Sequence, residues 1–447
     1  MDKLIYSIYF FIVLLSVWGP LPNFYGALII VLLFTITLFF DRNFIYLTPS
    51  ITVPFLFLFR AKDFSNFFVA GITEILMFFS ISFYIISFIN SKNSNKKILL
   101  SLPAFLILLH LVYTTLNSII YLNSITLFLV FIRIYLVPLI FLIVIINVAS
   151  KNPYLMIRAL KFFIYGTFIV ASISLLQYFD FIKIPSDNSV LGKYVTSTVG
   201  DFDINSQIII PERNLLGSLI PRLNILLGGA VGSVASILVG IGLCIAFVKN
   251  EIIKSWFLRM VVFSSLILAA IFSISMSILI SIIIFIFWFF ISKKYSITSI
   301  FSIIVVPVFI ILGSSTIFLV SEGISPLEYL NVVFGKISID SDWILGKGPV
   351  IFSGDFQLIP DNYTTDVGIF RIMQESGIIN MLIVLTFIYL AISKALKKIR
   401  TDDSQVSLIF LVLFSLCLTS IHTNYIIVPP FSILFAISAG WIFSKST

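Results

Sequence analysis

The chain has 447 residues, of which 60% are hydrophobic and only 11% charged, and it carries a formal net charge of +8. Soluble domains average about 25% charged residues, so this chain has too little charge to give a globule a polar surface. A soluble protein is excluded, and lipid is part of the solvent of an integral membrane protein. The mean hydropathy of +1.14 agrees.

A membrane span needs about 20 apolar residues, and many windows qualify. Barrel strands would be about 10 residues long with strict alternation. The apolar runs here are continuous, so helices are predicted. The first run, 4–18, leads into Gly19, Pro20, Leu21 and Pro22 without a small-residue cleavage pattern. It reads as a span and not as a cleavable signal peptide. Further spans are predicted near 24–40, 44–59, 67–89, 98–116, 124–148 and 157–179. They continue at 221–247, 257–272, 275–291, 297–319, 367–392, 405–423 and 428–443, fourteen in all. The span at 44–59 carries Pro49 and Pro54. A break at 273–275 is inferred because one helix over 257–291 would far exceed a hydrocarbon core about 30 Å thick. The expected fold is therefore all-α, a polytopic membrane helical bundle of about 12–14 transmembrane helices.

With the N-terminus inside, the inner face holds 18 basic and five acidic residues. The outer face holds 9 basic and 14 acidic ones, with Arg60 and Lys62 as mild exceptions. The Lys/Arg excess points inward, as orientation requires. Both long polar segments, 180–220 and 320–366, then face outward. The inner connections are short and basic. They leave no room for a cytosolic ATPase or kinase module, and no Walker-type phosphate loop occurs. The whole of 1–447 reads as a single membrane domain. Cys244 and Cys417 both fall in apolar spans, so neither a disulfide nor a Cys-type metal site is expected.

The first outer loop ends IIIPERNLLGSLIPRLNILLGG, with Arg213 and Arg222 at the membrane–water boundary. A guanidinium there can fork two hydrogen bonds onto a phosphate and stays charged. Either residue can equally be a snorkelling anchor. Gly228, Gly229, Gly232, Gly240 and Gly242 follow, suited to close helix packing or, near Gly228 and Gly229, to backbone approach by a substrate.

The stretch from Val320 to Gly377 collects eight carboxylates, opposed only by Lys336, Lys347 and Arg371. It contains Gly346-Lys347-Gly348, then Asp361, Asp366, Gly368, Arg371, Glu375 and Gly377. Asp366 can cap a helix that begins near Thr365. Arg371 and Glu375 are spaced i, i+4 and can pair. Arg371 also lies inside a span, where an ionisable residue is a functional candidate. Glu74 and Arg133 are the two charges left within other spans. They lie seven and nine residues from the outer ends of those spans, about 10–14 Å deep. That depth allows a buried charge pair or a role in a substrate groove.

His422 lies near the outer end of its span and His110 deeper in another. With two histidines, no HExxH and no EF-hand pattern, no metal is expected. His422 is either an interfacial residue or a base. The serines Ser273, Ser275 and Ser277 read as turn residues.

The glycine pair Gly346 and Gly348, a polar stretch, then Asp366-Val367-Gly368 and a helix opening IFRIMQESGIINMLIVL resemble the bacterial O-antigen polymerase family. The many spans with two long outer loops are similar too. Arg213 and Arg222 resemble that family's arginines on the earlier loop; Arg371 and Gly377 resemble those of the later one. Motif-level resemblance is confined to 210–235 and 345–380. The related O-antigen ligases often carry a His where this chain has Asp361 and Asn362, which favours the polymerase. The family's Arg–x10–Gly spacing is absent, because Asn224 stands eleven after Arg213.

The resemblance implies a type-C glycosyltransferase-like fold with no cofactor. It implies polymerisation of surface polysaccharide for lipopolysaccharide biosynthesis, on the outer side of the bacterial cytoplasmic (inner) membrane. The growing glycan would pass from undecaprenyl pyrophosphate to the sugar of a new lipid-linked repeat unit. Partners would be that lipid-linked oligosaccharide and membrane lipid, with a chain-length regulator protein as a further candidate and no nucleic acid. Arg213, Arg222 and Arg371 would hold the pyrophosphate. Asp366, Asp361, Glu375 and His422 are candidates to take the proton. An O-antigen ligase, a polysaccharide flippase and a secondary transporter are the alternatives. Long outer loops and few midplane polar residues weigh against the last two.

Overall fold

The computed structural model describes residues 41–50, 67–89, 101–121, 125–179, 181–182, 212–215, 218–221, 253–273, 342–346, 352–353, 356–357, 368–402 and 431–444, with scattered positions between them. Helices dominate these residues. In chain order they are α1 (Phe67–Ile89), α2 (Leu102–Tyr121), α3 (Ile125–Phe131), α4 (Val137–Lys151), α5 (Pro153–Tyr178), α6 (Trp256–Ser273), the single turn α7 (Asp342–Leu345), α8 (Gly368–Asp402) and α9 (Phe431–Phe443). Two small antiparallel hairpins accompany them. β1 (Glu212–Leu215) pairs with β2 (Ser218–Pro221), and β3 (Phe352–Ser353) with β4 (Phe356–Gln357).

Among the described residues, three helices are long and apolar enough to cross a membrane: Leu102–Ile120 with 19 residues, Pro153–Leu176 with 24 and Glu375–Thr401 with 27. At 1.5 Å per residue the shortest reaches about 29 Å, close to the thickness of a bilayer core. Apolar side chains also cover much of the outside, Ile89, Ile120 and Ile125 among them. Water would penalise that surface, and lipid does not.

The predicted spans 67–89, 98–116, 157–179, 257–272, 367–392 and 428–443 fall on α1, α2, α5, α6, α8 and α9. Helix α8 continues ten residues past its expected end, to Asp402. Two of the predicted spans depart from regular α-geometry. The span at 124–148 is not one α-helix: α3 passes into α4 through a π-helical turn, Ile132–Leu136. The cause is Pro138, which cannot donate to the carbonyl four residues back and crowds it sterically. The ladder shifts by one residue, and Val137 N–H bonds Ile132 O instead. The span expected from 44 starts as a 3₁₀ helix, Arg42–Tyr46, capped by the Asp41 side chain on Asn43 N–H. Pro49 then sits in the first turn of the helical residues 48–50, the position proline tolerates best. The spans predicted at 4–18, 24–40, 221–247, 275–291, 297–319 and 405–423 lie mostly outside the described residues, apart from the helical residues 305–310 and isolated positions.

Packing centres on α4, which lies against α9, α1 and α2, while α2 also packs on α8 and α5 on α6 and α9. Gly440 of α9 lets that helix approach α4 closely, since a Cβ there would stand 3.0 Å from Ile145 Cγ2. Small residues at such crossings are how helices associate where no hydrophobic drive separates helix from lipid. At one end of the bundle Arg158 of α5 pairs with Asp41 at 3.0 Å. At the same predicted face, Lys398 of α8 lies 3.8 Å from the Trp441 ring centroid and donates to Trp441 O.

Candidate functional site

The polar residues of the opposite end gather around a break in α8. Gly377 has φ 88 and ψ 165, outside the helical region, so α8 is two helices joined at a kink. The break frees carbonyls that an unbroken helix would satisfy. Gly348 N–H takes one of them, donating to Glu375 O at 2.9 Å. The loop from α7 to Gly348 therefore lies directly on the kink. Both approaches need glycine. A Cβ on Gly346, which has φ 81, would stand 2.6 Å from Glu375 O. A Cβ on Gly377 would overlap Ile344 O.

Helix α2 holds the same loop from the other side. Asn117 Nδ2 donates to Leu345 O, and Tyr113 OH donates to Ile344 O at 3.4 Å. Asn117 Oδ1 is buried and has no hydrogen-bond partner among the described residues.

Below the loop, α2 and α8 share a buried polar network. Asn380 is fully buried and sits at its centre. Its Nδ2 donates to Thr114 Oγ1 at 3.0 Å and to Ser376 Oγ at 2.6 Å. Its Oδ1 lies 2.8 Å from His110 Nδ1, which assigns the ring proton to Nδ1. Ser376 Oγ in turn donates to Ile372 O. Every hydrogen-bonding group of that amide has a partner, as the cost of desolvation demands.

Glu375, one residue before Ser376, points elsewhere. Its carboxylate is buried and accepts from Tyr135 OH at 3.1 Å on Oε1 and 3.0 Å on Oε2. Tyr135 is equally buried and belongs to the π-helical turn. Its ring stacks on Phe131, with centroids 5.5 Å apart and planes at 19°. Two residues earlier, Arg133 Nε donates to Glu74 Oε1 of α1 at 3.3 Å. Residues two apart on a helix point to nearly opposite sides. One turn thus binds a carboxylate of α1 on one side and a carboxylate of α8 on the other.

Glu74 lies seven residues into α1, Glu375 seven into α8, Tyr135 ten past the start of α3, and Thr114 seven before the end of α2. At 1.5 Å per residue these are depths of about 10–15 Å from the helix ends. The result is a polar layer inside an apolar bundle. Among the described residues, no group of three or more His, Cys, Asp or Glu side chains could hold a metal ion.

Other candidates from the sequence are placed only in part. Arg213 lies on β1 opposite Ile220, and the backbone of Arg371 lies in the first turn of α8. The side chains of both, and all of Arg222, Asp361, Asp366, His422, Gly228 and Gly229, lie outside the described residues.

No protein-family model, curated protein or solved structure matches the chain.

Sequence reasoning missed Tyr113, Thr114, Asn117, Tyr135, Ser376 and Asn380. A signal for most of them exists. His110, Thr114 and Asn117 recur at i, i+4 and i+7, and Ser376 and Asn380 at i and i+4. Each set is a polar stripe along one face of an apolar helix. Tyr135 carries no such mark except its place three residues before Pro138.

Proposed function

We propose that this chain is a polytopic membrane glycosyltransferase of the O-antigen polymerase kind, with a type-C glycosyltransferase-like fold. It extends a surface polysaccharide on undecaprenyl pyrophosphate at the outer face of the bacterial cytoplasmic membrane. The observation that supports this reading is the loop on the kink. Gly346, Gly348 and Gly377, which carry the family resemblance, pack into one junction whose Glu375 carboxylate is buried and hydrogen-bonded. Arg371 precedes that carboxylate by one helical turn.

The chemistry suits such a junction. No nucleotide sugar is available on the outer side, so the driving force resides in the glycosyl–pyrophosphate bond. The hydroxyl oxygen of the incoming unit bonds to the anomeric carbon of the growing chain. The bond from that carbon to the pyrophosphate oxygen breaks, and its electron pair leaves with the lipid pyrophosphate. The hydroxyl proton passes to a carboxylate, and Glu375, Asp366 and Asp361 are the candidates, with His422 as an imidazole alternative. Fixed guanidinium groups of Arg213, Arg222 and Arg371 stabilise the charge on the leaving group.

Arg213→Ala, Arg222→Ala and Arg371→Ala are each expected to reduce polymer formation about 100-fold or more. The measurement is the length distribution of surface polysaccharide in a deletion strain carrying each variant. Single-unit product should persist. Loss of even the single unit on the lipid A core would identify a ligase instead. Normal chains from all three variants would falsify the reading.

A further inference from the structure

We infer that α7 is a strap that opens and closes over the break in α8, pivoting on Gly346 and Gly348. The inference stands apart from the polymerase reading and holds or fails without it.

In the structure the strap is shut. Ile344 O lies against Gly377, where an added Cβ would overlap it. Asn117 Nδ2 of α2 donates to Leu345 O, and Tyr113 OH donates to Ile344 O at 3.4 Å. A single helical turn thus bridges α2 and α8 at the one place where α8 is broken.

Three observations point to opening. First, the side chains of Ile344 and Leu345 are 58% and 65% exposed. Burial of those two apolar groups does not hold α7 down, and segments with few buried apolar contacts are the ones that open most readily. Its grip on α2 is through carbonyls, and such bonds add little net stability because water replaces them. Second, the shut state strands a polar atom. Asn117 is buried, and its Oδ1 has no hydrogen-bond partner among the described residues. An unmet buried acceptor opposes closure, and lifting α7 opens it to water. Third, the pivot residues are glycines, with φ 81 at Gly346 and 93 at Gly348. Glycine passes between positive and negative φ without the Cβ penalty, and hinges are residues that absorb such changes.

The far side of the pivot is fixed, because Gly348 N–H is bonded to Glu375 O at 2.9 Å. Movement is therefore confined to α7 and Gly346. The Gly346 contact with α8 is main chain on main chain, so no side chain of Gly346 has to disengage. Opening uncovers Gly377 and the Asn117 amide, and closing dries them. The strap gates the way from the outer end of α2 and α8 to the polar layer that begins at Thr114 and Ser376.

The test is a distance measurement between spin labels in the full-length chain in nanodiscs, with Cys244→Ala and Cys417→Ala as background. Labels go on Leu345→Cys and Ile120→Cys, both exposed positions. The expected result is a main distance and a minor one of about 1–10%, longer by about 10 Å, one helix diameter. Asn117→Asp keeps the shape, removes the donor and turns an anion toward Leu345 O. It should raise the ratio of long to short distances about tenfold. Gly346→Ala places a Cβ 2.5 Å from Ser376 N, so the longer distance should become the main one. The Gly348 amide should remain protected from hydrogen exchange in Asn117→Asp. A single distance that neither variant changes overturns the strap. Loss of Gly348 protection in step with the longer distance overturns the pivot, since the whole loop would then leave α8.

Discussion

Gly377 shows how much one residue decides. Its φ of 88 and ψ of 165 belong to a region that side chains with a Cβ avoid, at a cost of about 1–3 kcal/mol. A Cβ would also meet Ile344 O, so the loop would have to lift. Lifting it strands Glu375 O and releases Asn117 from Leu345. Gly377→Ala is therefore expected to destabilise the protein by at least about 1–3 kcal/mol, read from reversible unfolding in nanodiscs. Unchanged stability would mean that the kink is not held by this contact. Glu74 adds a second residue-scale feature. Its Oε1 is paired with Arg133, whereas its Oε2 is buried and without a hydrogen-bond partner among the described residues.

Among the elements, the α2–α8 pair and the π-helical turn carry the polar layer. The α2–α8 crossing is interlocked by Asn380, which serves His110, Thr114 and Ser376 together. Asn380→Ala removes the 2.8 Å acceptor of the buried His110 donor, leaving it only the longer contact with Thr114 Oγ1 at 3.5 Å, and should cost about 1–3 kcal/mol. The combined change of His110 and Asn380 to leucine should cost less than that. Thr114 and Ser376 can turn their hydroxyls to carbonyls of their own helices, as Ser376 already does. Unfolding of both variants in the same nanodiscs checks the order, and the reverse order would mean that volume outweighs hydrogen bonding there. The π-helical turn has a simple local cause in Pro138, yet its consequence is long-range: it carries Arg133 to α1 and Tyr135 to α8.

Among the described residues of the whole molecule, two levels of polar contacts between segments stand out. Asp41 with Arg158 and Lys398 with Trp441 tie together segments that the charge count assigns to one face. The layer from Glu74 to Asn380 lies toward the other end. Single cysteines placed in 180–220 and 320–366 should react with a membrane-impermeant maleimide on intact spheroplasts, in a background lacking Cys244 and Cys417. Cysteines in the segment around Lys96 and at the inner end of α8, around Asp402, should react only after lysis. Labelling in the opposite sense would reverse the orientation and with it the proposed site of polymerisation.

Composition and local pattern were enough for the membrane character, the helical class and the charged residues worth watching. An apolar run, a buried charge or a Gly-x-Gly stands out against its own neighbours in the chain, and needs nothing further to be noticed. Packing alone supplied the partners. Glu375 meets Tyr135 across 240 positions, and Gly346 meets the backbone of α8. Bundles of apolar helices offer many faces of nearly equal greasiness, so periodicity says that a face is buried and not against which neighbour. That choice falls to the few polar groups that must find one another and to the glycines that let backbones touch.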